Sequence, residues 1–378
     1  MNMNNAWFLI TGKSPTLSHE EVTAQKSFFG YQSTSRVSEH CLEIKGVEVS
    51  STLFNRLGGI TKAGKVIGYV KSDFVSEILN YISKKDHARH DFGFSAYDSE
   101  MSNKEARRLA LRIKNDLKKS GKPVRVFLPN EGTALPSVVV LEHLLQKNGC
   151  EIVVVKTKEG WLLGETAWVH QFEDWSRREF GKIAVDKKRG MIPHKLARIM
   201  LNLSGEKLDE NVRVFDPYCG TGVILLEAKE MGCNYIGSDI DSVAIKQSRI
   251  NLGLTDRDDR LWISDARKVI IPKVDGKLLI VTEPDLGPIW RIQPYYNDIN
   301  VVIKELVRLY SDSLNNWRNQ ISTGTRIVMV FPIIFGHSTF ERIVDTLTIL
   351  GYSTSTSPLL YERDDQKIRR NIVKLVAV

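Results

Sequence analysis

Residues Val214-Phe215-Asp216-Pro217-Tyr218-Cys219-Gly220-Thr221-Gly222, followed one helix later by Gly237-Ser238-Asp239-Ile240-Asp241, decide the fold. An apolar strand runs into an acid and a Gly-x-Gly turn. A helix follows, then a second strand that also ends in an acid. This order is that of a nucleoside-cofactor site in an α/β sheet. Gly220 and Gly222 let the backbone approach a ligand where a side chain would fill the space. Asp239 is placed to accept hydrogen bonds from ribose hydroxyls. A dinucleotide fingerprint would need a third glycine at position 225, which is Leu225, so a pyrophosphate reading is disfavoured. The competing reading, a glycine turn that only joins strand to helix, leaves the second spaced acid unexplained.

From about residue 205 the sequence alternates strand and helix patterns: Val212–Phe215, Val223–Met231, Asn234–Gly237, Val243–Leu252, Leu261–Ile263, Leu278–Thr282, Val301–Leu314, Arg326–Phe331, Thr339–Leu350 and Val373–Val378. Such alternation predicts a parallel sheet covered on both faces, with ligands outside the carboxyl ends of the strands. Asp265, in Ser264-Asp265-Ala266, ends the third strand. There it suits an adenine amine, or it caps a helix. Asp241 reads as the cap of the helix after Asp239. The fourth strand ends in Thr282-Glu283-Pro284-Asp285-Leu286-Gly287-Pro288.

The first 170 residues read differently. Residues 1–70 alternate short strands (Trp7–Thr11, Cys41–Ile44, Ile60–Val66) with polar helical stretches. Ser18-x-x-Glu21 reads as a capping box opening a helix. Residues 71–170 form a second α+β segment with strands at Phe92–Tyr97, Glu151–Lys156 and Trp161–Leu163. Its helix, Asn103 to Lys119, keeps Ala106, Leu109, Ala110, Ile113 and Leu117 on one face. The other face and the turn after it carry Lys104, Arg107, Arg108, Arg112, Lys114, Lys118, Lys119, Lys122 and Arg125, offset by Glu105 and Asp116. A charge run can be a plain solvated face, but this one-sided sign favours phosphate contact. Residues 171–204 are a connector in which Phe172, Trp175 and Phe180 sit among Arg177, Arg178, Lys182, Lys187, Lys188 and Arg189.

The chain has 378 residues, enough for two or three cores, and a formal charge of +8, which favours polyanionic partners without selecting one. Cys41, Cys150, Cys219 and Cys233 lie far apart, so neither a zinc site nor a disulfide framework is suggested. The only apolar run near the start, Trp7–Ile10, is too short for a signal peptide or a membrane span. A reducing, cytoplasmic, monomeric protein is expected.

Asp216–Gly222 resembles motif I of the S-adenosylmethionine-dependent methyltransferases that act on nucleic-acid bases. Glu283-Pro284-Asp285-Leu286 stands where amino-methylating enzymes carry Asp/Asn-Pro-Pro-aromatic. In those enzymes the acid or amide and a proline carbonyl accept the exocyclic N–H groups and aim the nitrogen at the methyl sulfonium. The wider chain is similar to the THUMP-domain tRNA methyltransferases that make N2-methylguanosine, the archaeal and eukaryotic guanosine-10 enzymes. The resemblance is carried by Trp7–Gly12 with Leu17-Ser18-x-x-Glu21, by Leu57-Gly58-Gly59-Ile60-Thr61-Lys62, and by Phe92-Gly93-Phe94-Ser95. It continues through Arg177–Lys182 and Gly190–Leu203 to the cofactor motifs and Tyr361-Glu362-Arg363 with Arg369-Arg370. It implies a Rossmann-like class I methyltransferase domain at 205–378, preceded by a ferredoxin-like domain at 1–70, a THUMP RNA-binding domain at 71–170 and a linker and helix at 171–204.

Under that resemblance S-adenosylmethionine is the cofactor, held by Asp216, Tyr218, Gly220, Gly222, Asp239, Ile240, Asp265 and Ala266. Glu283, Pro284, Asp285 and Leu286 form the catalytic segment. Arg107, Arg108, Arg112, Lys114, Lys118, Lys119 and Arg178 contact tRNA. A small activating subunit is a further expected partner. The sequence departs from the family where His194 replaces a proline, where Asp285 replaces the second proline of the catalytic segment, and where Leu286 replaces its aromatic ring. Trp290, Tyr295 or Tyr296 is then the candidate stacking ring. Two other readings stay open: a DNA amino-methyltransferase, and a non-catalytic RNA-binding protein that retains the fold.

Overall fold

The computed structural model describes residues 5–46, 51–85, 89–119, 121, 123–181, 191–290, 294–354, 357–362 and 368–378. Lys122, Lys182, Lys187, Lys188, Arg189, Gly190 and Arg363, named above, lie outside the described residues. The chain divides into two compact units, residues 1–173 and 174–378.

The first unit is built on one eight-stranded sheet. In spatial order its strands are Ser33–Arg36, Cys41–Lys45, Ala6–Thr11, Ile60–Val70, Gly160–Val169, Cys150–Thr157, His90–Tyr97 and Val124–Phe127. His90–Tyr97 is parallel to both of its neighbours, and the other pairings are antiparallel. The sheet runs straight through the expected division at residue 70, because Lys62 to Val70 pair with Gly160–Val169. Separate ferredoxin-like and THUMP domains are therefore not distinguished.

Ser18 and Glu21 do not open a helix. The helix is Pro15–Ala24, with Ser14 at its N-cap and proline at its first turn. Ser18 and Glu21 lie inside it and are buried. The Glu21 carboxylate accepts the N–H groups of Gly58 at 2.7 Å and Gly59 at 2.8 Å, and Ser18 Oγ donates to the Gly59 carbonyl at 2.9 Å. A Cβ at Gly59 would fall 2.5 Å from Ser18 Oγ, so this turn must be glycine. The i, i+3 spacing of a capping box is also the spacing of two neighbours on one helix face, and here the second geometry applies. Lys62, three residues past that turn, points inward and pairs with buried Glu151 at 2.5 Å. Ser95 and Thr166 complete the carboxylate's hydrogen bonds. Burial acts to lower the Lys62 pKa, but Glu151 outweighs it and holds the ammonium above its ordinary value.

The basic helix, Asn103–Lys118, opens on a true capping box made by Ser102 and Glu105. Its buried face is Ala106, Ala110, Ile113 and Leu117.

The second unit carries the expected strand–helix alternation. Leu261–Ile263, Asn234–Asp239, Val212–Asp216, Lys277–Thr282 and Arg326–Ile334 lie side by side in that order and are parallel. The sheet is not wholly parallel as the alternation predicted. Ile368–Ala377 runs antiparallel beside Arg326–Ile334, and Tyr352–Thr354 and Leu359–Tyr361 pair antiparallel with it. The helix Thr339–Ile349 carries the chain from Arg326–Ile334 to Tyr352–Thr354. The return from there to Ile368–Ala377 has no crossover helix among the described residues, which allows the reversal. The helix Tyr296–Arg318 buries Ile299, Ile303, Leu306, Tyr310, Ser313, Leu314 and Trp317 at three- and four-residue steps and forms one wall of the core.

Replacing Glu21 by alanine leaves two buried N–H groups without an acceptor, at a cost of roughly 1–3 kcal/mol each. E21A is expected to unfold the first unit at a clearly lower urea concentration, read by fluorescence. An unchanged midpoint would mean that the glycine turn is held by other contacts.

Candidate active site

Asp216 is the innermost group of the site. It ends the strand Val212–Asp216, between two parallel neighbours, and is 1% exposed. Its Oδ1 accepts Thr282 Oγ1 at 2.7 Å and the Tyr218 N–H at 3.1 Å. Burial raises its pKa to about 7 against those two hydrogen bonds, and the charges of Asp239 and Glu283 push the same way.

The turn beyond Asp216 is strained in the manner only glycine relieves. Gly222 has φ +84° at the N-cap of Val223–Glu230, and a Cβ there would lie 2.3 Å from Ser248 Oγ. Gly220 (φ +52°) has open space where a Cβ would be, so the backbone presents a bare surface to a ligand. Its N–H donates to Asp239 Oδ2 at 2.9 Å, while the Asp241 N–H donates to Asp239 Oδ1 at 2.9 Å. Asp241 caps the next helix through Val243 N–H at 2.8 Å, as the sequence implied. Ile240 is 67% exposed beside Asp239, an apolar surface of the kind that covers an adenine ring.

Asp265 makes no helix cap. It accepts the Arg267 N–H at 2.9 Å and forms a fork with the Arg267 guanidinium, Nη2 to Oδ2 being 2.6 Å. That pairing holds its pKa below the ordinary carboxylate value. Ala266 is buried, and its carbonyl accepts Trp317 Nε1 at 2.9 Å. The Tyr218 hydroxyl meets Ser313 Oγ at 2.7 Å, and its ring stands edge-on to Trp317.

Asp216, Tyr218, Gly220, Asp239, Ile240, Asp265, Ala266 and the whole segment from Glu283 to Ile289 line one cavity of about 840 Å³. Gly222 is not in its lining and acts by shaping the turn. Sequence reasoning gave no role to Met191, Ile192 or Arg267, which also line the cavity. The Thr221 hydroxyl rests on Met191 Sδ at 3.3 Å. Met191 and Ile192 belong to the connector stretch that carried the resemblance, which was the available signal. Bare glycine backbone, an acid at the ribose position and an exposed apolar neighbour suit a nucleoside with a charged tail.

Within the catalytic segment, Glu283 Oε1 accepts Arg370 Nε at 2.6 Å. Pro284 is buried, and Leu286 is half-buried. Asp285, also in the lining, is exposed; its side chain accepts the Gly287 N–H at 3.0 Å, while its carbonyl accepts the buried Tyr310 hydroxyl. Trp290, Tyr295 and Tyr296 do not line the cavity. Trp290 stands edge-on to Phe335, and Tyr296 edge-on to His337.

The expected RNA-contacting residues fall into two sets. In the first unit, Arg108, Arg112, Lys118 and Lys119 are exposed on the basic helix, while Arg107 and Lys114 are half-buried and Arg107 donates to the Pro129 carbonyl at 2.8 Å. Asp116 takes Lys119 at 2.6 Å. In the second unit, Arg178 turns inward. Its side chain is 15% exposed, lies over Trp175, and faces Glu227 at 3.3 Å and Glu230 at 3.8 Å.

The parallel sheet, its reversed closing strand and this cavity define a class I S-adenosylmethionine-dependent methyltransferase fold. Two family models match: the RMKL-like methyltransferase domain over residues 182–346, and a DNA methylase family over residues 29–249, more than half of the chain. A tRNA (guanine(10)-N2)-dimethyltransferase of Methanothermobacter thermautotrophicus is 37% identical over 147 residues, which span 38% of this chain and 39% of that protein. A probable tRNA (guanine(10)-N2)-dimethyltransferase of Methanothermococcus thermolithotrophicus is 32% identical over 122 residues, 29% of this chain and 74% of that sequence. Among solved structures, TrmN from Thermus thermophilus superposes with a TM-score of 0.58 at 17% identity, covering 99% of this chain and 100% of that one. SMU.472, a putative methyltransferase complexed with SAH, superposes at 0.52 with 12% identity, covering 98% of each chain. The chain belongs to the matching methylase family, as an S-adenosylmethionine-dependent methyltransferase related to the tRNA (guanine(10)-N2)-dimethyltransferases. Among the described residues no helix is long and apolar enough to cross a membrane.

The Asp216 carboxyl releases its proton near pH 7 when folded and near its ordinary, lower value when unfolded. The folded state therefore holds the extra proton between those values. Its stabilising contribution is full at low pH and is lost as pH rises through about 7. The thermal midpoint of the ligand-free chain is expected to fall between about pH 5 and pH 8, and D216N to remove most of that fall. An identical pH profile in D216N would assign the dependence to other groups.

Proposed function

We propose that the chain transfers the methyl group of S-adenosylmethionine to the exocyclic amine of a nucleic-acid base, with N2 of a tRNA guanosine as the target. The observation that carries this reading is the shared cavity: Glu283 and Pro284 line the same space as the cofactor turn and Asp239. The Glu283 carboxylate and the Pro284 carbonyl accept the two amine hydrogens and direct the nitrogen lone pair at the methyl carbon. The N–C bond forms as the C–S bond breaks, the electron pair stays on sulfur, and the surplus proton leaves to Glu283 or to water. The chain's contribution is orientation, which is worth several kcal/mol when the reacting atoms are held about 3–3.5 Å apart.

The tRNA part of the reading is supported by the relatives named above and by the basic helix of the first unit. Arg108, Arg112, Lys118 and Lys119 present an exposed cationic face suited to the phosphates of a nucleic acid, RNA or DNA alike. Arg178 contributes to the fold and not to this surface. A DNA amino-methyltransferase is the second reading, favoured by the description of the DNA methylase family that matches residues 29–249.

Labelled methyl transfer to unmodified tRNA, followed by nucleoside chromatography, is expected to yield N2-methylguanosine. E283A should lower the rate by about 10²–10³-fold while S-adenosylhomocysteine binds as before. Transfer only to duplex DNA at the same salt concentration would favour the second reading. A different methylated nucleoside would reject the N2 assignment, and full activity in E283A would remove Glu283 from the chemistry.

If the basic helix grips phosphates, R108A/R112A should reduce the slope of log K against log salt for tRNA by about two. An unchanged slope would return this face to the role of a solvated surface.

A further inference from the structure

Glu283 is one methylene longer than the aspartate of the usual amino-methylating segment, and the fold supplies a group that takes up the extra reach. Met329 is level with Thr282 on one side and with Val373 on the other. Arg370 is level with Pro332, three residues farther toward the carboxyl edge of the sheet. The closing strand Ile368–Ala377 thus starts beyond the end of Lys277–Thr282 and overhangs the rim on which Glu283 stands. From there the Arg370 side chain crosses the intervening strand and places Nε 2.6 Å from Glu283 Oε1. Both side chains are largely buried, 9% and 13% exposed. The second carboxylate oxygen makes no hydrogen bond among the described residues.

We propose that Arg370 is a positioning residue for the acceptor amine: its bond to Oε1 fixes the Glu283 carboxylate so that the second oxygen serves as the acceptor. This rests on the role given to Glu283 under the proposed function. A free glutamate has three rotatable side-chain bonds, and a rim carboxylate able to swing would misplace its acceptor oxygen by more than the fraction of an ångström that orientation tolerates. A guanidinium delivered from a sheet strand is a rigid partner for it. The pair also explains how the closing strand, which carries no cofactor contact in the cavity lining, bears on the chemistry.

The test compares the full-length wild type with R370A, E283A, the double variant and R370K, assayed with S-adenosylmethionine and unmodified tRNA. R370A is expected to lower kcat by about 10–100-fold. KM for both substrates and the affinity for S-adenosylhomocysteine should stay within about twofold. R370K should recover part of the rate, and the double variant should be no slower than E283A alone, because Arg370 acts through Glu283. Full activity in R370A, a loss that adds to that of E283A, or a loss confined to KM would each overturn the proposal. Should R370A fail to fold, R370K is expected to show a smaller fall in kcat at unchanged KM, and wild-type kcat in R370K would overturn it. A crystal structure of R370A with S-adenosylhomocysteine decides the point without any nucleic acid. A displaced Glu283 carboxylate supports the proposal, and a carboxylate in its native place overturns it. Failure of wild-type chain to methylate tRNA would therefore count against the substrate reading alone.

Discussion

The hydrogen bond from Thr282 to the buried carboxylate of Asp216 joins the two turns that form the cavity floor and rim. One end belongs to the strand that opens into the cofactor turn, the other to the strand that opens into Glu283 and Pro284. The two strands are neighbours in the sheet, with Ile280 opposite Phe215, so both turns leave the same edge side by side. A carboxylate this deep must be satisfied, and the Tyr218 N–H and Thr282 hydroxyl satisfy it by fixing the first residue of each turn. Loss of that bond would leave the buried acid with the Tyr218 N–H alone and untie the two segments from each other.

A second buried carboxylate does comparable work behind the site. Glu227, on the helix that the Gly222 turn begins, takes His194 Nδ1 at 2.7 Å and Arg198 Nη2 at 2.5 Å, with Arg178 Nε 3.3 Å away. Burial acts to raise its pKa, but the His194 bond and the two guanidiniums prevail and hold it below the ordinary glutamate value. Arg178 and Arg198 also lie over Trp175, so helices Phe172–Phe180 and His194–Leu203 are tied to the cofactor helix through one residue. Met191 and Ile192, just before His194, are thereby delivered to the cavity wall. An ion cluster of this kind adds little net stability after desolvation, but it fixes one arrangement, because any other leaves a buried charge unpaired.

Legibility in the sequence followed the range of the interaction. Gly220, Gly222 and Asp239 could be read because strand, turn and helix are local and their backbone demands are specific. The parallel core could be read from its alternation, and the long helix from its apolar steps. What escaped depends on distant partners. Arg178 looked like a phosphate contact because a cation in a basic stretch carries no mark of the buried glutamate 49 positions later that claims it. Ser18 and Glu21 looked like a cap because one helical spacing serves two geometries. Arg370 was visible only as one of two adjacent arginines, and its pairing with a residue 87 positions earlier requires the antiparallel closing strand that the pattern did not show.

The departures in the Glu283-Pro284-Asp285-Leu286 segment can now be sorted by what each side chain touches. Asp285 replaces a proline without loss of rigidity, since its carboxylate holds the Gly287 N–H and the Tyr310 hydroxyl holds its carbonyl. Buried Pro284 stays in place and keeps a carbonyl at the rim. Leu286 offers an apolar surface without a π face, and no tryptophan or tyrosine of the following segment lines the cavity. Under the proposed function, a base entering beside this segment would meet dispersion contacts with Leu286 and Ile289 where the usual segment offers a ring. Stacking forfeited at Leu286, on the order of 1–3 kcal/mol per base, would then have to come from Tyr218 or from contacts elsewhere on the nucleic acid. On that reading the site would depend more on its binding surface, and less on its pocket, to choose a substrate.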